Sequence, residues 1–493
     1  MTDLDSEEFR AAAHSLVDQI ADFYASLPTR PVNPGGKPSE LRALLPAGGL
    51  PESGQPADAL LADVAPLLFD HSVHNGHPRF LAYITSSGSP LGALADLLAA
   101  AVNPNLGRWD CGPMASEIEG QVVSWLAELI GYPPDCGGLM TSGGNMANFL
   151  AFVAARKAKA TWDVREQGLA GGDQPLTAYV SAEAHTWVDK AADVAGLGAR
   201  AIRWVATDKQ HRLRPDELTR LIAADKAAGC LPFLIVGTAG TTGTGAIDPL
   251  PELADIAAAE GLWFHVDGAY GAPAAALPEA PIELQSLQRA DSVAVDPHKW
   301  LYAPLEAGCT LVRDADALPL AFSFLPSYYK LDTPIDGEAP GVNYYNLGMQ
   351  NSRGFRALKV WLGLRAAGRQ GIVAAVRKDI ALSQRLYALA EQHPELEART
   401  QSLSISTFRY RPRSLPAGQE AEGYLDQLNR RLLVELQRAG EIFMSNAVVD
   451  SAYWLRACVV NFRTTAADID AIPDIVADLG HQLDDELRPA SMR

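Results

Sequence analysis

Between about residue 86 and about residue 375 the sequence alternates short apolar runs with amphipathic stretches, and this alternation limits the fold more than any other feature. Ala178-Tyr-Val-Ser181, Phe233-Leu-Ile-Val236, Leu262-Trp-Phe-His-Val266 and Ser292-Val-Ala-Val295 are rich in strand formers. Glu117 to Ile130 reads as a helix with Ile118, Val122, Trp125, Leu126 and Leu129 on one side. Asn145 to Lys159, Asp216 to Ala228 and Pro251 to Ala259 read the same way. Strands that are apolar throughout must be covered on both faces. The pattern therefore predicts an α/β chain with a mostly parallel sheet between helices.

The flanking regions differ in character. Phe9, Ala13, Leu16, Val17, Ile20, Ala21 and Tyr24 recur at helical spacing, and Pro28, Pro31 and the Pro34-Gly-Gly stretch end that helix. A one-sided apolar helix needs a second surface, either its own core or another subunit. Beyond Arg353, Phe355 to Arg365 reads as a helix; residues 376–493 mix helices with strand-like pieces at Ser404 to Tyr410 and Cys458 to Phe462. The expected organisation is an N-terminal helical segment (1–85) that contacts a second subunit, a large domain (86–375) and a small α+β domain (376–493).

Charge narrows the partners. Lys plus Arg number 41 against 59 Asp plus Glu, a formal net charge of −18. Such a surface disfavours phosphate backbones and anionic lipid, so a small-molecule partner is expected rather than nucleic acid or membrane. Leu91 to Val102, the longest apolar stretch, is interrupted by Asp96 and too short to span a bilayer. Five scattered cysteines without a CxxC argue for a reducing compartment, and the acidic start argues against a targeting peptide. A cytoplasmic protein is expected. His71, His74 and His77 have suggestive spacing but lie in a Gly-Pro loop, and no metal site is expected.

In an open α/β sheet, ligands bind beyond the carboxyl ends of the strands. Glu183-Ala-His185, Thr238-Ala-Gly-Thr-Thr-Gly243, Asp267-Gly-Ala-Tyr-Gly271 and Asp296-Pro-His-Lys-Trp300 each follow a predicted strand; Thr141-Ser-Gly-Gly144 precedes a predicted helix. Glycines before a helix offer free N–H groups and a positive dipole end to a phosphate. Neither a GxxxxGK[ST] loop nor a GxGxxG fingerprint is present. Lys299 follows an apolar strand and sits between His298 and Trp300, as a desolvated Schiff-base amine would. Asp267 ends an apolar strand and needs a cationic partner, which a protonated pyridine nitrogen would supply.

Together these residues resemble the pyridoxal-phosphate-dependent group II amino-acid decarboxylases, nearest the aromatic-L-amino-acid decarboxylases. The resemblance runs from Phe9 to about Gly368 and includes His77-Pro-Arg-Phe-Leu-Ala-Tyr83, His265-Val-Asp-Gly-Ala-Tyr270 and Asp296-Pro-His-Lys-Trp300. It implies an aspartate-aminotransferase-like fold (fold type I), pyridoxal 5'-phosphate as cofactor, an amino-acid substrate and a homodimer. It further implies that Lys299 holds the cofactor as a Schiff base, Asp267 pairs with the ring nitrogen, His185 stacks on one ring face and Ala269 packs on the other. Gly143, Gly144 and Asn145 would hold the phosphate with Asp296 and His298 nearby, and Thr242 would bond near the ring. Tyr83 and Trp109 would lie near the substrate. The implied proton donor is a tyrosine on a lid, here Lys330 to Asn343; counting back from Arg353 selects Tyr344, with Tyr345 as the adjacent alternative. A tyrosine there implies an amine product. An aldehyde synthase, an aminotransferase, a decarboxylase of acidic amino acids and a non-catalytic binder are the competing readings.

Overall fold

The computed structural model describes residues 4–324, 341–415 and 418–492. They form two compact units. The larger is Ile84–Gln384 with Thr400–Ser406; the smaller comprises the described residues of Met1–Tyr83, Arg385–Arg399 and Thr407–Arg493.

The larger unit is built on strands β1 (Gly137–Thr141), β2 (Leu176–Ser181), β3 (Ile202–Val205), β4 (Leu231–Thr238), β5 (Trp263–Asp267), β6 (Ser292–Val295) and β7 (Gly308–Val312). Their order is β1-β7-β6-β5-β4-β2-β3. The pairs from β6 through β3 are parallel, and β7 runs antiparallel to both its neighbours. Every residue of β2, β5, β6 and β7 is buried. Successive side chains of a strand point to opposite faces, so both faces of the sheet are covered, as the unbroken apolar runs required. The helix Gly144–Lys159 packs across β1, β7, β6, β5 and β4, and the helices Pro215–Ala227 and Leu250–Glu260 pack on β4.

In the smaller unit, N-terminal and C-terminal residues fold together. Val32 N–H donates to Gly440 O at 2.7 Å, Leu81 N–H to Phe443 O at 2.8 Å and Cys458 N–H to Leu81 O at 2.9 Å. Phe80 stacks on Phe443 with ring centroids 5.5 Å apart. Backbone groups of the N-terminal segment thus bond to the C-terminal part of the chain. Strands β8 (Leu396–Ser402), β9 (Ile405–Tyr410), β10 (Ser445–Val449) and β11 (Ala452–Cys458) form a second sheet in the order β10-β11-β9-β8. The strand expected at Cys458 to Phe462 instead ends at Cys458.

The first helix, Ser6–Ser26, begins with a capping box in which Asp5 accepts from the N–H groups of Glu7 and Glu8. It packs on the helix Ala57–His71 through stacked Phe23 and Phe69 rings, 4.6 Å apart, yet Ala12 is its one buried residue. The helix following Arg353 spans Ala357–Gln392 and is interrupted at Gly368, where φ is 60°. Residues 330–340 of the expected lid lie outside the described residues.

Candidate active site

The carboxyl ends of β1, β2, β4, β5 and β6 border one cavity of ≈ 440 Å³ in the larger unit. Gly143, Gly144, Asn145, His185, Thr242, Asp267, Ala269, Asp296, His298 and Lys299 all line it. Residues separated by up to 156 positions are brought to one rim by the parallel strand order.

The glycine turn after β1 forms a cradle. Gly143 has φ of +145°, and a Cβ there would meet the His298 ring at 3.0 Å. A Cβ on Gly144 would meet Asp296 Oδ2 at 2.7 Å and Ala269 Cβ at 3.2 Å. Gly308, opening β7, passes so close that its Cβ would lie 2.5 Å from Gly143 Cα. The helix Gly144–Lys159 starts there without a capping side chain, leaving its first N–H groups for an anion.

Lys299 lies in the turn after β6, its backbone N–H donating to Asp296 O at 2.9 Å. Its Nζ is 3.1 Å from Asp296 Oδ2, and His298 Nε2 is 3.6 Å from the same oxygen. Asp296 Oδ1 is buried with no hydrogen-bond partner. His298 Nδ1 accepts from Ala307 N–H at 3.1 Å, and burial lowers the imidazole pKa below its ordinary value. On the far side of the turn, Trp300 Nε1 and Tyr302 Oη donate to Asp379 Oδ2 at 3.0 and 2.7 Å. Trp300 also stacks on Tyr270, whose hydroxyl is 2.6 Å from Ser404 Oγ. The lysine is thus held by a packed and hydrogen-bonded base.

Asp267 closes β5. Its Oδ2 accepts from Trp187 Nε1 at 2.7 Å and its Oδ1 from Ala269 N–H at 3.2 Å. His185 follows β2; its Nδ1 accepts from Trp187 N–H at 3.3 Å. Burial is the largest influence on His185 and lowers its pKa, which favours a neutral ring able to stack.

These residues fit pyridoxal phosphate. The uncapped helix start and glycine cradle suit a phosphate, the amine of Lys299 suits an aldehyde, and the carboxylate of Asp267 suits a protonated ring nitrogen. Asp296 Oδ1 and Thr238 Oγ1, buried and without hydrogen-bond partners on residues that line this cavity, are polar atoms that protein contacts alone leave unmet.

Tyr344, its alternative Tyr345 and Trp109 do not line this cavity. Tyr344 is buried in the larger unit's core; its hydroxyl donates to Ser116 O at 3.3 Å and Arg353 lies over its ring, 4.8 Å from the centroid. Burial pushes this phenol well above its ordinary range, and its hydroxyl does not line the cavity, so the geometry of the described residues does not bring it to the site expected of a proton donor. Tyr345 is also buried and borders a separate cavity with Phe149 and Met349. Trp109 donates through Nε1 to Glu117 Oε1 at 2.7 Å and through its backbone to Asn343 Oδ1 at 3.0 Å, away from the cavity lining. Tyr83 belongs to the smaller unit, its ring largely exposed and its carbonyl accepting from Arg456 Nη1 at 2.9 Å. The nitrogens of His74 lie 3.0 and 2.8 Å from the carbonyl oxygens of Pro31 and Phe69. His77 Nδ1 accepts from Arg79 N–H at 3.0 Å, and burial lowers His77 to about 4.

Sequence reasoning missed Trp187 and Asp379, which touch the site's supports, and Tyr270, Ile84, Leu305 and Glu306, which line the cavity. Tyr270 lay within a recognised run and could have been found; Asp379 carried no local signal.

Residues 38–411 match the family model described as the pyridoxal-dependent decarboxylase conserved domain. The chain is 34% identical over 468 residues to an aromatic-L-amino-acid decarboxylase of Bacillus atrophaeus, covering 94% of each chain. It is 30% identical to a phenylacetaldehyde synthase of Arabidopsis thaliana, covering 92% of each. The structure of Oryza sativa TDC with PLP and tryptamine superposes with a TM-score of 0.89 at 28% identity, over 98% of this chain and 99% of that one. The fold is that of the fold-type-I pyridoxal-phosphate enzymes.

Proposed function

The chain belongs to the pyridoxal-dependent decarboxylase family, and we propose that its substrate is an aromatic L-amino acid, released as the amine and CO₂. It is a carboxy-lyase that uses pyridoxal phosphate. The observation that carries the reading is the convergence of Lys299, Asp267 and His185 on one cavity beside a glycine cradle. The aromatic preference is supported by the identity to the Bacillus decarboxylase.

When bound, the cofactor supplies an aldehyde for the substrate amine and a cationic ring that accepts the electrons left by the departing carboxylate. The chain's residues make that chemistry possible. Lys299 Nζ would hold the cofactor's aldehyde carbon. Asp267 holds a proton on the ring nitrogen. The uncapped N–H groups at the helix start, Gly144 and Asn145, would fix the phosphate, and the ring with it. Neutral His185 covers one ring face and excludes water from it. It is also a cavity-lining group able to pass a proton to the α-carbon.

The deciding experiment incubates the holoenzyme with a panel of aromatic, acidic and aliphatic L-amino acids and measures amine, CO₂, aldehyde, peroxide and keto acid. Equal amounts of aromatic amine and CO₂ are expected. Aldehyde with peroxide would support the synthase reading, which the similarity to phenylacetaldehyde synthases favours as the second choice. Keto acid would support an aminotransferase.

A cytoplasmic homodimer completes the reading. Its supports are the uncovered stripe of the first helix, where Phe9 is 53% exposed, and the exposed Leu94, Leu97, Leu98 and Val102 on the helix Pro90–Val102. Among the described residues no helix is long and apolar enough to cross a membrane. Light scattering at dilute concentration tests the dimer; an active monomer would refute it.

A further inference from the structure

Trp187 touches two residues of the site without lining the cavity itself. It opens the helix Trp187–Val194, and its side chain is almost fully buried. The indole stands edge-on to Phe152, 6.5 Å away, and to His265, 5.9 Å away. Those contacts fix the ring plane. The plane in turn aims Nε1 at Asp267 Oδ2, 2.7 Å away, while the backbone N–H of the same residue reaches His185 Nδ1 at 3.3 Å.

Both contacts have chemical consequences. A buried carboxylate is costly unless donors meet its charge. Each Asp267 oxygen accepts from one donor, Oδ2 from Trp187 Nε1 and Oδ1 from Ala269 N–H. A carboxylate deprived of one donor pulls harder on a proton shared with a ring nitrogen and draws it away from the ring. The ring then accepts electrons less well. At His185, an occupied Nδ1 acceptor leaves the proton of the neutral imidazole on Nε2.

We propose that Trp187 is a positioning residue for the decarboxylation: its indole N–H holds the Asp267 carboxylate on the cofactor nitrogen, and its backbone N–H fixes the tautomer of His185. This rests on the reading of Asp267 as the partner of the ring nitrogen.

Two substitutions separate donation from packing. Trp187→Phe keeps an aromatic ring and removes the donor. Trp187→His loses the benzene ring but carries Nε2 at the ring position that Nε1 occupies in tryptophan. Each is compared with the parent holoenzyme, and with Asp267→Asn, by three measurements. These are the cofactor dissociation constant from titration of apoprotein, the pH midpoint of the cofactor's visible absorbance, and kcat and KM separately.

For Trp187→Phe the expected result is a kcat loss of about 10- to 100-fold, the range for a hydrogen bond to a charged group, with KM little changed. Weaker cofactor binding and a shifted absorbance midpoint should accompany it. Adding Trp187→Phe to Asp267→Asn should cost little more, because both act through one contact. Trp187→His should melt at a lower temperature yet keep an absorbance midpoint nearer the parent's. Parental absorbance midpoint and cofactor affinity in Trp187→Phe would overturn the proposal and leave Trp187 as a packing residue, whatever the histidine variant does. Full activity in Asp267→Asn would instead overturn the reading of the site itself, so the two failures are distinguishable.

Discussion

Two charged clusters in the larger unit use similar side chains and differ in what surrounds them. At the strand ends, Asp267, Asp296, His298 and Lys299 border an open cavity, and the Lys299 side chain is 22% exposed. Where the helix Pro113–Leu129 meets β1, Glu119, Arg353 and Tyr344 form a sealed knot, with the ion-paired side chains 0% and 1% exposed. There Glu119 Oε1 accepts from Arg353 Nη2 at 2.5 Å and from Met140 N–H at 2.9 Å, and Arg353 Nη2 also donates to Met140 O at 2.7 Å. Acid, base and aromatic hydroxyl are present in both neighbourhoods. A cavity at the carboxyl ends of parallel strands is what turns one of them into a place for chemistry. The other joins a helix to an edge strand.

The comparison is broken most severely at Lys299. Lys299→Ala should abolish turnover and the cofactor's protein-bound absorbance while leaving the melting curve close to the parent's, because the side chain supports little of the core. In the parent enzyme, borohydride reduction followed by peptide mapping should place the cofactor on Lys299. Modification at another lysine would reject the assignment. In the sealed cluster the pattern should invert. Arg353→Met strands the Glu119 carboxylate in the core and should cost about 3–5 kcal/mol of stability, the usual penalty for breaking a buried pair. The fraction that remains folded should turn over normally. A variant as stable as the parent but catalytically dead would move Arg353 into the machinery.

Asp379 stands between the two cases, sealed like Glu119 but bonded to the turn that carries Lys299. Burial lifts its pKa to about 7, above the unfolded value of 3.8. The folded state therefore binds a proton that the unfolded state releases across that interval. Stability contributed at this site is fully present below about pH 4, falls as pH rises, and is flat above about pH 7. Asp379→Asn removes the titration. The expected outcome is a shallower decline of unfolding free energy between about pH 4 and pH 7 in the variant than in the parent, from urea melts at each pH. Parallel curves would show that Asp379 keeps an ordinary carboxylate pKa.

The sequence made the middle of the sheet legible and its β1-β7 end obscure, for a physical reason. β2, β4, β5 and β6 are covered on both faces, so they read as unbroken apolar runs. β1 begins with Gly137-Gly138 and β7 with Gly308, and their glycines answer to distant neighbours. A Cβ at Gly138 would meet Thr310 O at 2.5 Å, a contact that no local pattern encodes. The site was legible in the same way. Its cavity-lining residues sit in short runs just past the strands, where position along the chain is position on the rim. Asp379 reads as one charge among several on an amphipathic helix until Trp300 and Tyr302 arrive from nearly eighty residues earlier. Trp187 reads as an ordinary apolar helix residue. Tyr344 shows the converse: counting along the chain selected it, but the direction of its ring depends on Arg353 and Ser116.

Tyr344→Phe therefore carries the smallest expected effect and the sharpest test of the comparison. Its hydroxyl makes a 3.3 Å bond to a backbone carbonyl, so the loss should be about 1 kcal/mol or less. Amine should remain the product at close to the parental rate, with no aldehyde or peroxide, because the group removed lies in the core. A proton donor would behave differently. Its loss would prolong the life of the electron-rich species left after CO₂ departs, and oxygen could divert that species to aldehyde, ammonia and peroxide. Measuring amine and peroxide together in Tyr344→Phe and Tyr345→Phe separates the outcomes. A switch to aldehyde in Tyr344→Phe would mean that the hydroxyl leaves Ser116 and reaches the α-carbon during turnover, so that the sealed cluster opens as part of catalysis. The same switch confined to Tyr345→Phe would move the donor by one residue. Parental product in both, alongside lost amine formation in His185→Gln, would place the proton transfer at the cavity wall, which His185 lines.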